Sequence, residues 1–424
     1  MNTVSNPKCP LGIHWLARAT IGATLLATLY ACGGVDSQPP NQWVATWMAA
    51  SQDYNEIFPG NLAPPPPPLS ISNQTVRQTI HTSYGGNETR IKLSNLFGKQ
   101  SVTFSSVHLA RSTGSGGVDA ATDRVVTFDG EASVTLAAGT EQWSDGVNLP
   151  IASQSDLSIS LYVKNSVPVA TSHTFGLQTN YLSSGNQTNA ATMSDAESIT
   201  SYYWLNEVDV STTEKVKVVV AFGDSITDGY HSTVDVNHRW PNFFSDRVLA
   251  AASSVGKASV VDAGISGNRW LNDTTGPAGK ARFSRDVLGV SGGTHVIILL
   301  GINDIGFGEF LPSQSVSSDQ IIGAMTAAIA QAKSRNMKVF LGTLLPYEGA
   351  VFYDASGEAK RQSVNAFVRS APGVDGIIDF DKLMQDPSRP AAMLAAYDSG
   401  DHLHPNDAGY QAMANAVSLN LLSN

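Results

Sequence analysis

The chain has 424 residues, 42% hydrophobic and 15% charged, which supplies a sizeable core and excludes wholesale disorder. Lys and Arg number 26 against 36 Asp and Glu, and the net charge of −10 argues against the basic face that a nucleic-acid partner needs. Two cysteines exclude a disulfide-stapled scaffold and a cysteine-rich metal site.

Lys8 and Arg18 are the only charged residues ahead of Cys32, and a mostly apolar run from Ala19 to Ala31 follows them. That run is short for a bilayer span and has the charge-then-apolar order of an export signal. Leu29-Tyr30-Ala31-Cys32-Gly33 resembles a bacterial lipobox. The resemblance implies that residues 1–31 are a lipoprotein signal peptide and that Cys32 is lipidated. The mature protein is then exported and held at the cell envelope or surface of a bacterium by that anchor alone. The competing reading is a short N-terminal anchor left uncleaved. Residues 32–41, with Gly33-Gly34 and Pro39-Pro40, read as a tether.

Residues 42–211 show short alternating runs broken by turn residues, with no long helical period. Strands are predicted at Thr75–Tyr84, Arg90–Leu96, Arg124–Phe128, Ser133–Leu136 and Leu157–Val163. The reading is a β-rich accessory domain, a sandwich of the jelly-roll kind. Pro64 to Pro68 reads as an extended polyproline segment, expected in a surface loop. From residue 212 onward the rhythm becomes apolar strand, loop, helix. Strands are predicted at Val216–Phe222, Ser259–Ala263, His295–Leu300, Lys338–Thr343 and Gly376–Phe380. Helices are predicted at Pro241–Ala252, Ser318–Ser334, Glu358–Ser370 and about Asp407–Leu422. Alternation of this sort predicts a parallel sheet covered on both faces, with its chemistry beyond the carboxyl ends of the strands.

Four blocks follow strands in this region. The first is Gly223-Asp224-Ser225-Ile226-Thr227-Asp228-Gly229, a serine on a tight strand-to-helix turn, where a nucleophile is exposed and its own N–H lies near a helix start. The second runs Asp262 to Arg269, the third is Gly301-Ile302-Asn303-Asp304, and the last is Asp401-His402-Leu403-His404-Pro405-Asn406. In this order, and each after a strand, the blocks resemble the GDSL esterases, also called SGNH hydrolases. The longer phrases Gly264–Arg269, Gly301–Gly306 and Ser399–Tyr410 are similar to a two-domain bacterial branch with a β-rich N-terminal region, which includes acylhydrolases of xylan-degradation loci.

The resemblance implies a three-layer α/β/α, flavodoxin-like hydrolase domain over residues 212–424. It makes Ser225 the nucleophile, His404 the general base and Asp401 its orienting carboxylate. The Ser225 N–H, the Gly267 N–H and the Asn303 amide become the oxyanion hole. Ile226 stands where the family's name has leucine, a usual variant. Independently of any relative, serine needs a base within hydrogen-bond reach, and an imidazole can take that proton and return it to a leaving alcohol.

Each residue also has a plainer reading. Serine, Asp224 and Asp228 are common turn residues, Asn303-Asp304 can be a helix cap, and Gly264 can serve its backbone angles alone. His402 is taken as structural or adjacent to substrate. Asp401, His402, His404 and Asp224 could imitate a metal cluster, yet no cysteine pair or helical His-x-x-x-His accompanies them. No cofactor is implied.

The leading expectation is a serine esterase acting on short acyl esters, acetyl groups on carbohydrate or small aryl esters, with acetylated polysaccharide as a candidate substrate. Longer-chain lipase or polyester hydrolysis, a non-catalytic polysaccharide-binding surface lipoprotein and a metal-dependent phosphoesterase are the alternatives. Trp270, Phe307, Phe310 and Tyr347 follow strand ends and are candidates for the mouth of the site or for packing.

Overall fold

The computed structural model describes residues 41–56 and 69–423. The signal peptide 1–31, Cys32, nearly all of the tether and the run Pro64–Pro68 lie outside them. Among the described residues no helix is long and apolar enough to cross a membrane.

The β-rich region is built from antiparallel strands: β1 (Gln42–Met48), β2 (Gln74–His81), β3 (Thr89–Ser94), β4 (Val102–Gly114), β5 (Glu141–Trp143), β6 (Asp156–Val163), β7 (Asn180–Ser184), β8 (Glu197–Ile199) and β9 (Leu205–Thr212). They form one sheet in the order β1-β9-β3-β5 and another whose main path runs β8-β7-β2-β6-β4. Val76, Ile80, Leu157, Ile159, Leu161, Val208 and Val210 are among the side chains buried between them. Burying β-branched and aromatic side chains on these pleated faces is what holds the strands in register. Phe104 meets Trp204 edge to face at 5.5 Å, a geometry favoured by the ring quadrupoles.

Strand β4 was absent from the sequence expectation. Its register against β6 pairs Tyr162 with Ser106 and Val163 with Phe104, which leaves Ser105 as an extra residue. A bulge of this kind reverses the alternation partway along and hides the period of two.

The α/β region holds five parallel strands: β10 (Lys217–Gly223), β11 (Ala258–Gly264), β12 (Gly293–Leu299), β13 (Lys338–Gly342) and β14 (Gly376–Ile378). Their order is β11-β10-β12-β13-β14. The flavodoxin-like α/β expectation holds in that order. Strand β10 lies between β11 and β12, and Val218 to Phe222 are all fully buried, as a strand covered on both faces requires. Helices follow the strands: α1 (Ser225–Asp228), α2 (Trp240–Ala250), α3 (Ile302–Phe310), α4 (Ser318–Ser334), α5 (Ala355–Ser370) and α6 (Asp407–Ala416). Ser317 and Gln320 close a capping box on α4, whose buried stripe is Ile321, Met325, Ala328, Ile329 and Ala332.

Two boundaries differ from expectation for local reasons. Strand β14 stops at Ile378 because the Asp379 carboxylate caps a new helix, accepting from Lys382 N. The last helix stops at Ala416, and Ser418 caps a separate turn by accepting from Asn420 N.

The two regions are bonded directly to one another. Ala45 N donates to Ser291 O at 3.0 Å. Ser259 Oγ donates to Ala45 O at 2.7 Å, and Val260 N donates to Ser83 Oγ at 2.7 Å. The side of β11 away from β10 is therefore covered by the β-rich region.

Candidate active site

Strand β10 delivers the chain into α1 through Asp224, whose carboxylate accepts from Ile226 N at 3.1 Å and so starts the helix. Ser225 is the first residue of that helix and only 5% exposed. The turn presses on β11: a Cβ at Gly264 would lie 2.3 Å from Asp228 N. Gly264 is thus required by close approach, and its backbone angles are ordinary ones, which corrects the plainer reading given above.

The turn after Asp398 carries the other two groups to Ser225. His404 Nε2 lies 2.8 Å from Ser225 Oγ, and His404 Nδ1 lies 2.6 Å from Asp401 Oδ2. Asp401 Oδ1 accepts from Leu403 N at 2.9 Å, from His404 N at 2.8 Å and from Ser399 Oγ at 3.1 Å. Burial pushes the Asp401 carboxyl up, but the His404 ring and these N–H donors outweigh it and hold it well below the usual carboxylate range. An ionised carboxylate only accepts, so Nδ1 of His404 carries the proton. A neutral ring then has Nε2 free to accept from the serine hydroxyl. The arrangement can take a proton from Ser225 Oγ and hand it on.

The second and third blocks meet beside this line. Gly267 has φ +78°, a left-handed value that favours glycine. Asn303, in the first turn of α3, is buried and donates from Nδ2 to Asn268 O at 3.2 Å. Asp304 accepts from Trp270 N at 2.7 Å and Leu271 N at 3.1 Å, which clamps the second block onto the third. Burial pushes the carboxyls of Asp224 and Asp304 up to about 7. Asp228 uses one oxygen, Oδ2, to accept from Ser266 N at 2.9 Å and Ser266 Oγ at 2.6 Å.

Several neighbours were not foreseen. Arg282, fully buried, donates from Nη2 to Gly223 O at 2.7 Å, from Nη1 to Ala263 O at 2.8 Å and from Nε to Asn268 Oδ1 at 2.9 Å. It therefore joins the ends of β10 and β11 to the second block. Asp286 balances its charge at 3.1 Å, and this Arg–Asp pair four apart on one helical face was the legible signal. Tyr230 packs edge to face on His404 at 4.8 Å, and His231 Nε2 lies 3.4 Å from Asp401 Oδ2. Both follow the nucleophile turn closely enough in sequence to have been considered with it.

Among the described residues, His231, Asp401 and His404 are the one group whose ligand atoms are close enough to hold a metal ion. His402 is not in it: its ring turns to Asp398 Oδ2 at 2.6 Å. The aromatic candidates for the mouth separate cleanly. Trp270, Phe307 and Tyr347 are buried packing residues, whereas Phe310 is exposed.

Residues 221–412 match the family model described as GDSL-like Lipase/Acylhydrolase family. The α/β region is a domain of that family, and the protein is a carboxylic ester hydrolase. Among solved structures, the chain is similar to a catalytic mutant of an acetylxylan esterase from Geobacillus stearothermophilus, at 21% identity over 49% of this chain and 93% of that one, with a TM-score of 0.37. It is similar to a GDSL-like lipase from Bacteroides thetaiotaomicron at 22% identity over 48% and 87%, with a TM-score of 0.35. A carbohydrate acetylesterase family member from Sinorhizobium meliloti gives 15% over 47% and 95%, with a TM-score of 0.36. No curated protein matches the chain.

Proposed function

We propose that this hydrolase cleaves short-chain acyl esters of carbohydrates or aryl alcohols through an acyl-enzyme on Ser225. The observation that carries the reading is the unbroken line Ser225 Oγ, His404 Nε2, His404 Nδ1, Asp401 Oδ2, with steps of 2.8 and 2.6 Å. Ser225 Oγ attacks the ester carbonyl as its proton passes to His404 Nε2, and Asp401 stabilises the imidazolium that forms. The Ser225 and Gly267 N–H groups and the Asn303 amide receive the oxyanion. Collapse expels the alcohol, which takes the proton from His404. Water then attacks the acyl group with His404 again as base, and the acid leaves.

Support for a short acyl group comes from the branch that the four blocks resemble; Trp270, Phe307 and Tyr347 are buried in packing and are not available to line the mouth. Export and lipid attachment at Cys32 belong to the same proposal; the mass of the mature N-terminal peptide tests them.

The decisive experiment is hydrolysis of p-nitrophenyl esters from acetate to palmitate by wild type and Ser225→Ala, with and without EDTA. The expected result is a rate that peaks at the short esters, indifference to EDTA, and a folded variant at least about ten-thousand-fold slower in kcat. Retained activity in Ser225→Ala removes the nucleophile assignment. A peak at long chains keeps the mechanism and replaces the substrate class.

A further inference from the structure

The β-rich region reaches the nucleophile turn through His173. His173 lies on the short strand Thr171–His173 and is 5% exposed. Its ring faces two acceptors: Nδ1 is 3.0 Å from Ala50 O, and Nε2 is 3.0 Å from Asp228 Oδ1. A carbonyl and a carboxylate accept and do not donate, so both ring nitrogens carry protons and His173 is an imidazolium. Burial works against that charge, and Asp228 overrides it. Burial likewise pushes Asp228 up, and His173 with Ser266 brings it below the usual carboxylate range. Arg239 completes the setting by donating from Nε to Asp228 O at 2.8 Å.

Asp228 is a junction. It is the last residue of α1, the helix that begins with Ser225. One carboxylate oxygen takes His173; the other takes both the N–H and the hydroxyl of Ser266, at 2.9 and 2.6 Å. Ser266 directly precedes Gly267, whose φ of +78° turns its peptide. A buried ion pair is weak evidence for stability, since apolar replacements commonly do as well. What it supplies here is direction: one carboxylate is held fixed between the nucleophile helix and the turn carrying Gly267.

We propose that His173 is a positioning residue of the hydrolytic site, fixing Asp228 so that the Ser266–Gly267 turn presents its N–H to the oxyanion. The β-rich region thereby helps to set the geometry of a site whose proposed catalytic groups all lie in the α/β region. This inference rests on the roles proposed for Ser225 and Gly267.

Two substitutions separate positioning from mere packing. In His173→Gln the amide nitrogen reaches the place of Nε2 and keeps a donor on Asp228. In His173→Asn the amide nitrogen takes the place of Nδ1 and keeps only the Ala50 bond. On p-nitrophenyl acetate, His173→Asn is expected to lose about tenfold or more in kcat with KM held within about twofold, because a misplaced donor weakens transition-state binding alone. His173→Gln is expected to stay within about threefold of wild type. Equal losses in both variants, or a folded His173→Asn with wild-type kcat, overturn the proposal. Ser266→Ala removes the hydroxyl bond to Asp228 from the α/β side, keeps the residue-266 N–H on Oδ2, and does not touch the β-rich region. With that N–H bond kept, it is expected to lower kcat by less than His173→Asn does, with KM unchanged. Ser225→Ala is measured alongside. If it retains activity, the reading beneath this one has failed; if it is inert while His173→Asn and Ser266→Ala run at wild-type rate, only the role of His173 has failed.

Discussion

Each region has a completely buried arginine that collects carbonyl oxygens: Arg77 in the β-rich region, and Arg282 among those of the α/β region. Arg77, on β2, donates to Ser160 Oγ at 2.9 Å and to the carbonyls of Gly116, Gln187, Thr188 and Ala190 at 2.8 to 3.2 Å. Arg282 donates to Gly223 O, Ala263 O and the Asn268 side chain, with Asp286 as counter-charge. The chemistry is the same, a planar fork of donors satisfying backbone that would otherwise be buried unpaired. The difference lies in what is tied. Arg77 holds loops against a β-sheet, while Arg282 holds the two strand ends and the block that carries Gly267, one of the proposed oxyanion donors. A buried staple becomes part of a mechanism only through what it anchors.

That contrast orders the expected effects of substitution. On the proposed reading, Asn303→Ala removes an oxyanion donor and should lower kcat by about a hundred- to thousand-fold, with the melting temperature moved far less. A loss under about threefold would place the oxyanion elsewhere. Next comes Arg282→Met, which frees three acceptors behind the site and leaves Asp286 with Arg285 at 2.6 Å. It should cost about tenfold or more in kcat together with about 3 kcal/mol of stability. Arg77→Met should cost a similar stability, about 2 to 3 kcal/mol by denaturant unfolding, and leave kcat of the folded enzyme unchanged. If both arginine variants lose kcat alike, the distinction between the two staples collapses.

How much of this was legible in the sequence follows the same divide. The α/β strands were found nearly to the residue because strands buried on both faces make continuous apolar runs, as Val218 to Phe222 do. Ser225, Gly267, Asn303, Asp401 and His404 were singled out because the four blocks that carry them, each beside a strand end or a helix start, resemble those of the GDSL esterases. The distant partners that the supports of that site meet were not legible. Asp228 meets His173 across 55 positions, and Arg282 meets Gly223 across 59, so no spacing rule connects them. In the β-rich region the bulge at Ser105 concealed the longest strand, and β1 and β9 pair from opposite ends of that region. Local period reports which face is buried; it carries no record of which distant chain arrives to cover it.

The smallest expected effect is electrostatic. Asp262, near the end of β11, accepts from Gly264 N with Oδ1 at 2.8 Å, while Oδ2 is buried without a hydrogen-bond partner. Burial, reinforced by the charge of Asp228, pushes its carboxyl up to about 7 against the pull of Arg239 and the Gly264 N–H. The unfolded chain binds this proton only below about pH 4. Between those limits the folded state is the more protonated one, so the stability this group contributes is complete below about pH 4 and is lost as pH rises through about 7. Asp262→Asn keeps the acceptor for Gly264 and cannot ionise. It should therefore be more stable than wild type at pH 8, by about 1 to 2 kcal/mol, with the gain shrinking to nothing by pH 4 to 5. Asp224 and Asp304 titrate in the same direction, so the substitution flattens the pH slope without abolishing it. The cost of Arg77→Met should be flat across that range, since its partners are a hydroxyl and backbone carbonyls. Thermal unfolding of both variants at pH 5 and pH 8 reads this directly. A pH-independent Asp262→Asn would mean that the carboxylate reaches solvent and that the junction between the regions is wetter than its hydrogen bonds imply.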